Sequence, residues 1–139
     1  MKNFLGWWFG TALLLTLVMA GPPATEARPP VQVDILFMNH GPMQPVIKSL
    51  KDILARHAGS ASPSWYDFEQ PAGQDFMRRK GIKSHIPLLI FIDGSPDAQV
   101  QGRKVTFAGF PSGYGPYQFQ GKWTLEDLDL LLGSLASRP

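Results

Sequence analysis

The sequence predicts an α/β domain, a mixed central β-sheet flanked by helices on both faces. Three observations carry that expectation. An apolar, β-favouring run at Val31–Met38 stops at Gly41-Pro42 and passes at once into a helical pattern. A second run, Leu88–Ile92, is apolar without interruption, as a strand covered on both sides requires. A stripe of leucines at helical spacing closes the chain.

Each element follows in order. In the first strand, Val33, Ile35 and Phe37 share one face, and Asp34, Leu36 and Met38 the other. Val46, Ile47, Leu50, Ile53 and Leu54 then share the buried face of a helix over about Met43–His57. Pro45 is tolerated there because first-turn N–H groups lack helical partners anyway. Gly59-Ser60-Ala61-Ser62-Pro63 reads as a loop, Trp65–Glu69 as a short second strand and Gln70-Pro71-Ala72-Gly73 as a turn. A short helix over 74–80 turns Phe76 and Met77 inward and ends at Gly81. Pro87 opens the Leu88–Ile92 strand, since it cannot donate within a ladder. Asp93–Gly102 reads as a turn-rich connection. Lys104–Phe110 is expected to form a hairpin with Leu88–Ile92. Thr124 with Asp127 forms a capping-box pattern for the last helix, whose buried stripe is Leu125, Leu128, Leu131, Leu132 and Leu135.

The N-terminus stands apart from this domain. Lys2 precedes an apolar stretch, Phe4–Ala20, which Gly21-Pro22-Pro23 breaks. Small residues at Val18-Met19-Ala20 and Thr25-Glu26-Ala27 offer cleavage sites, so residues 1–27 read as a signal peptide leading into a tether, with the domain at 28–139. The expectation is an exported protein, periplasmic or secreted, with no membrane association after cleavage. A retained anchor is the rival reading, because the run approaches the length of a membrane span.

Composition narrows the function. The formal net charge is +2. Removal through Ala27 takes one basic residue, Lys2, and one acidic residue, Glu26, and leaves that balance unchanged. The longest basic run is Arg78-Arg79-Lys80, so nucleic acid is not an expected partner. The chain has no cysteine. Thiol–disulfide exchange needs an attacking thiolate and is therefore excluded. A mature part of about 110 residues is long enough to be held by its apolar core without disulfides. No zinc signature, phosphate loop or carboxylate pair occurs. Ser84 beside His85 is a poor nucleophile–base pair, because adjacent side chains rarely align. The chain is expected not to be an enzyme and to need no cofactor. No residue pattern specifies an oligomeric state.

The strand-to-helix junction, Val33-Asp34-Ile35-Leu36-Phe37-Met38-Asn39-His40-Gly41-Pro42-Met43, resembles that of thioredoxins, which carry V-D-F-W-A-E-W-C-G-P-C there. His40 and Met43 stand at the two cysteine positions, and Asn39 replaces the tryptophan. Asp34 lies six residues before His40, the separation between the family's buried acid and first cysteine. Gly81-Ile82-Lys83-Ser84-His85-Ile86-Pro87-Leu88-Leu89-Ile90-Phe91-Ile92-Asp93-Gly94 is similar to the family pattern G-I-x-x-I-P-T-L-L-x-F-x-x-G, with one residue inserted before Ile86-Pro87.

The resemblance implies a thioredoxin fold stripped of its redox pair. It also implies a cis bond before Pro87, packed against the junction, and a retained structural role for Asp34. The family's substrate groove would be lined by Asn39, His40, Gly41, Pro42 and Met43, by Ile86 and Pro87, and by the region after Phe110. That last region, Pro111–Trp123, is long, and its Tyr114 and Tyr117 supply rigid contact area with polar tips. Binding of a protein or peptide partner through this groove is the expected function. The alternative is a monovalent copper site built from Met38, His40, Met43 and His85, whose thioether and imidazole donors suit that ion.

Overall fold

The computed structural model describes residues 28–138; the expected signal peptide at 1–27 lies outside them. The fold is mixed α/β. Strand β1 (Val31–Phe37) runs through one 3-10 turn (Gly41–Met43) into helix α1 (Gln44–Arg56). Strand β2 (Ala61–Asp67), helix α2 (Pro71–Lys80) and strand β3 (Leu88–Ile92) follow. A hairpin, β4 (Asp97–Val100) and β5 (Arg103–Thr106), precedes helix α3 (Leu125–Ala136).

The main sheet has the order β2-β1-β3, with β2 parallel and β3 antiparallel to the central β1. Its period-two alternation sorts the side chains between two layers. Val31, Val33 and Ile35 of β1, with Leu88, Ile90 and Ile92 of β3, pack against the apolar faces of α1 and α3. Leu36, Leu89 and Phe91 point the other way, to Phe76 and Met77 of α2. Helices therefore cover both faces, as expected from the unbroken apolar run of β3.

Four expectations need correction. Strand β2 begins at Ala61, so most of the stretch read as a loop is strand and passes through Pro63. The bonds Val31 N to Ser60 O and Phe68 N to Phe37 O bracket the β1–β2 ladder. By alternation, Ser62, Ser64 and Tyr66 turn their backbone groups toward β1, and Pro63 faces away on an edge strand, where proline is allowed. Helix α2 starts at Pro71, not after Gly73, because proline suits the first helical position.

The third correction concerns the segment 93–106. Asp97–Val100 is a strand, and it rather than β3 pairs with β5. Gln101 and Gly102, with φ of 49° and 77°, form its two-residue turn. Positive φ at both positions matches the turn twist that hairpins favour. Asp97 secures the open end of this hairpin. It accepts from Thr106 Oγ1 at 2.5 Å and faces Lys104 Nζ at 3.1 Å, and these contacts, Thr106 first, hold its carboxyl below the usual range. Only the next three residues reach β3, through Ile90 N to Phe107 O and Gly109 N to Leu88 O.

Lastly, there is no cis peptide bond among the described residues, so Pro87 is trans. Trans is the lower-energy form of an X–Pro bond by about 0.5–1 kcal/mol. The Ser84–Pro87 turn accommodates it: Ile86 N donates to Ser84 O at 3.1 Å, and Pro87 O accepts from Met38 N at 3.0 Å.

The last helix agrees closely with expectation. Thr124 Oγ1 accepts from Asp127 N, and Asp127 Oδ2 accepts from Thr124 N. Leu128, Leu131 and Leu132 are buried. Asp127 is buried too, and Arg103 Nη2 meets it at 2.6 Å. On the other side of α3, Asp129 ties the helix to the end of α1. Its carboxylate lies 2.7 Å from His57 Nε2 and 2.9 Å from Arg56 Nη2. The hydrogen bond with His57, then that with Arg56, lowers the Asp129 pKa. A lowered pKa means a contribution to stability that is full above the ordinary carboxylate range, about 4. It is lost as pH falls below that range. Asp129→Asn should therefore cost about 0.5–1 kcal/mol at neutral pH, modest because the carboxylate is 37% exposed and screened. It should also flatten the stability profile below about pH 4. Urea midpoints measured across that range check both expectations.

Candidate functional site

Three separated segments meet where β1 ends. The first is the junction itself. Past Phe37 the chain turns tightly, with His40 N donating to Met38 O and Met43 N to His40 O, each at 2.9 Å. Pro42 sits inside the 3-10 turn, where its missing N–H costs nothing. The turn throws Met43 inward, only 1% exposed, and leaves His40, Gly41 and Pro42 at the surface. His40 Nε2 lies 3.6 Å from Glu69 Oε1, with both side chains largely in solvent. Asn39 is exposed and accepts from Gln44 Nε2 at 2.8 Å.

The second segment is the entry to β3. Pro87 carries the backbone bond to Met38. The His85 ring leans on Phe68, 5.0 Å between centroids. Ile86 packs partly into the α2-side core.

The third segment is the long loop after β5, which is fastened to itself. Phe110 N donates to Phe119 O, Gly121 N to Phe110 O, and Ser112 N to Trp123 O. The Gln120 amide spans the interior, accepting from Gly113 N at 3.1 Å and donating to Gly115 O at 3.2 Å. Trp123 anchors the base. It is 1% exposed, meets Phe107 edge-on at 5.3 Å, and donates its Nε1–H to Gly109 O at 3.2 Å. Gly115 lies flat on the Phe110 ring, where a Cβ would stand 2.5 Å from a ring carbon.

Together the segments enclose a pocket of about 250 Å³. The junction contributes Met38, His40, Pro42 and Met43, and the β3 entry contributes His85 and Pro87. Phe110, Pro116 and Phe119 form the loop wall. Apart from the two imidazoles, the walls are apolar.

The residues expected at the groove thus divide. His40, Pro42, Met43, Pro87 and Phe110 line the pocket, and so do all four suggested metal donors, Met38, His40, Met43 and His85. Asn39, Gly41 and Ile86 border these residues in sequence without lining it. Tyr114 packs against the main core instead. Tyr117 is 88% exposed and borders a different hollow beside Arg103 and Lys122. Phe119, 48% exposed, and Pro116 form the wall that the sequence reading assigned to the tyrosines. The signal for Phe119 was present in the aromatic loop, but which ring turns inward depends on the 3-10 turn at Tyr117–Phe119.

Asp34, the candidate structural acid, lies on the α2 side of β1, half-buried, and accepts from Gln32 Nε2 at 3.0 Å. No protein-family model, curated protein or solved structure matches this chain.

Proposed function

We propose that this chain is an exported, thioredoxin-like domain without redox chemistry that grips an apolar side chain of a protein or peptide partner in the pocket beside His40. The fold part of this reading is supported by the strand order, with β2 parallel and β3 antiparallel to β1, and by α2 opposing α1 and α3 across the sheet. The absence of cysteine removes electron transfer from the family's repertoire and leaves recognition.

The observation that carries the binding function is the pocket itself. Three segments far apart in sequence build one apolar concavity of about 250 Å³. That is just under the roughly 300–1,000 Å³ of small-molecule sites, which suits one anchoring side chain better than a whole cofactor. Burying such an anchor is worth about 1.5–3 kcal/mol. Affinity must therefore also draw on the rim, where Asn39, His40 and Glu69 present polar groups.

Short capped peptides carrying Phe, Met, Leu or Ala at one central position test this by NMR titration of the ¹⁵N-labelled protein. Saturable shifts are expected at residues 38–43, 85–88 and 116–119, with the large apolar anchors and not with alanine. Phe119→Ala should weaken binding about tenfold, or ~1.4 kcal/mol, while Tyr117→Ala leaves it unchanged. Shifts that fail to saturate, or that map to other faces, would refute the reading.

A further inference from the structure

Among the described residues there are three methionines and three histidines: Met38, Met43, Met77, His40, His57 and His85. Two are committed elsewhere. Met77 lies in the α2-side core, and His57 is 2.7 Å from Asp129. The other four all line the pocket at the end of β1. We propose that this cluster is a binding site for a monovalent copper ion, held by the Met38 and Met43 sulfurs with the His40 and His85 imidazoles.

The donor chemistry selects the ion. Thioethers are soft ligands that favour monovalent copper, and imidazole serves it as well. Zinc draws on thiolate, imidazole and carboxylate donors. Among the described residues no three His, Cys, Asp or Glu are grouped so that they could hold a metal ion, so the ordinary zinc set is missing here. Charge points the same way. All four donors are neutral when they bind, so the bound ion keeps its full charge inside walls made by Pro42, Pro87, Phe110 and Phe119. Burial of charge in apolar surroundings is costly, and it costs a monovalent ion far less than a divalent one. Glu69 Oε1, 3.6 Å from His40 Nε2, supplies a nearby negative charge.

The ion would occupy the same pocket as the peptide anchor proposed above, but the two readings fail separately, since the peptide titration uses no metal. The test uses the full chain, expressed in an exporting host and handled anaerobically. Monovalent copper is offered in competition with the chromophoric chelator bicinchoninate, followed by X-ray absorption. One ion per chain is expected, with both sulfur and nitrogen neighbours. Met38→Leu/Met43→Leu conserves volume and apolarity, so the fold should survive. That variant should lose the sulfur scattering and at least about tenfold in affinity, or ~1.4 kcal/mol. His40→Gln/His85→Gln should lose the nitrogen neighbours with a comparable drop. A wild-type chain that leaves copper on the chelator overturns the proposal, as does an unchanged affinity in the leucine variant. Should that variant fail to fold, the wild-type NMR spectrum decides. Monovalent copper is diamagnetic, so shifts must saturate at one equivalent on the Met38 and Met43 methyls and the His40 and His85 rings. Shifts at His57, or none, overturn it.

Discussion

Replacing Trp123 with alanine is expected to lower stability by about 3–5 kcal/mol, the range for losing a large buried aromatic. Trp123 is 1% exposed, and its loss removes the edge-on contact with Phe107 and the hydrogen bond to Gly109 O. The damage should reach the pocket. Trp123 O accepts from Ser112 N, so the residue closes the loop whose far side supplies Pro116 and Phe119. Urea titration should show a reduced midpoint. The proposed copper and peptide binding should both weaken even under conditions where the variant is folded. Trp123→Phe, which keeps an aromatic ring but loses the donor and part of the buried volume, should cost less than alanine yet more than the ~1 kcal/mol of one hydrogen bond.

Gly109→Ala should have the second largest effect. Gly109 adopts φ of 77°, a left-handed backbone that costs an ordinary residue about 1–2 kcal/mol. Its added Cβ would lie 2.6 Å from Phe119 O and 3.0 Å from Gly121 N, both backbone atoms. Relieving that clash is overpacking, worth about 1–3 kcal/mol more. Gly109 N also donates to Leu88 O at 2.8 Å, and its carbonyl receives Trp123. The substitution therefore loosens the loop from β3 and from its anchor together. A lower thermal midpoint is expected, with NMR shifts spreading from β3 to Phe119. A variant with wild-type stability would show that the loop moves away without cost.

These expectations depend on features that the sequence displays unevenly. Strand β1, α1 and α3 were legible because their apolar residues repeat at one clear period over most of their length, and β3 because its run is apolar throughout. The Thr124–Asp127 cap was legible because both halves of the box lie in the sequence. Strand β2 was only half visible. Proline and serine normally punctuate loops, and whether Pro63 interrupts a ladder depends on which neighbour the strand acquires. Strand β4 was hidden for another reason. It is four residues long and mostly polar, its turn is Gln-Gly in place of the usual Asn-Gly, and its stability draws on Asp97 and Thr106 across the hairpin. In the pocket, the junction residues were accessible from chain order alone. The loop wall was not, since choosing Phe119 over Tyr114 and Tyr117 requires the path of the backbone between Pro116 and Gln120. The bond before Pro87 was expected from a family likeness, and the chain takes the commoner isomer instead.

Pro63 also bears on whether a further strand could join the sheet. One border of the main sheet is occupied, because Phe107 and Gly109 bond to β3. The other border is β2, and a bare strand flank invites a neighbour to add itself. With proline at the outward-facing position, that flank lacks a donor near its middle, and a chain arriving there finds no continuous row to copy. Pro63 should therefore hinder fibre-like growth. Exchange of Pro63 for valine should leave the fold intact and make concentrated solutions scatter light and bind amyloid dyes.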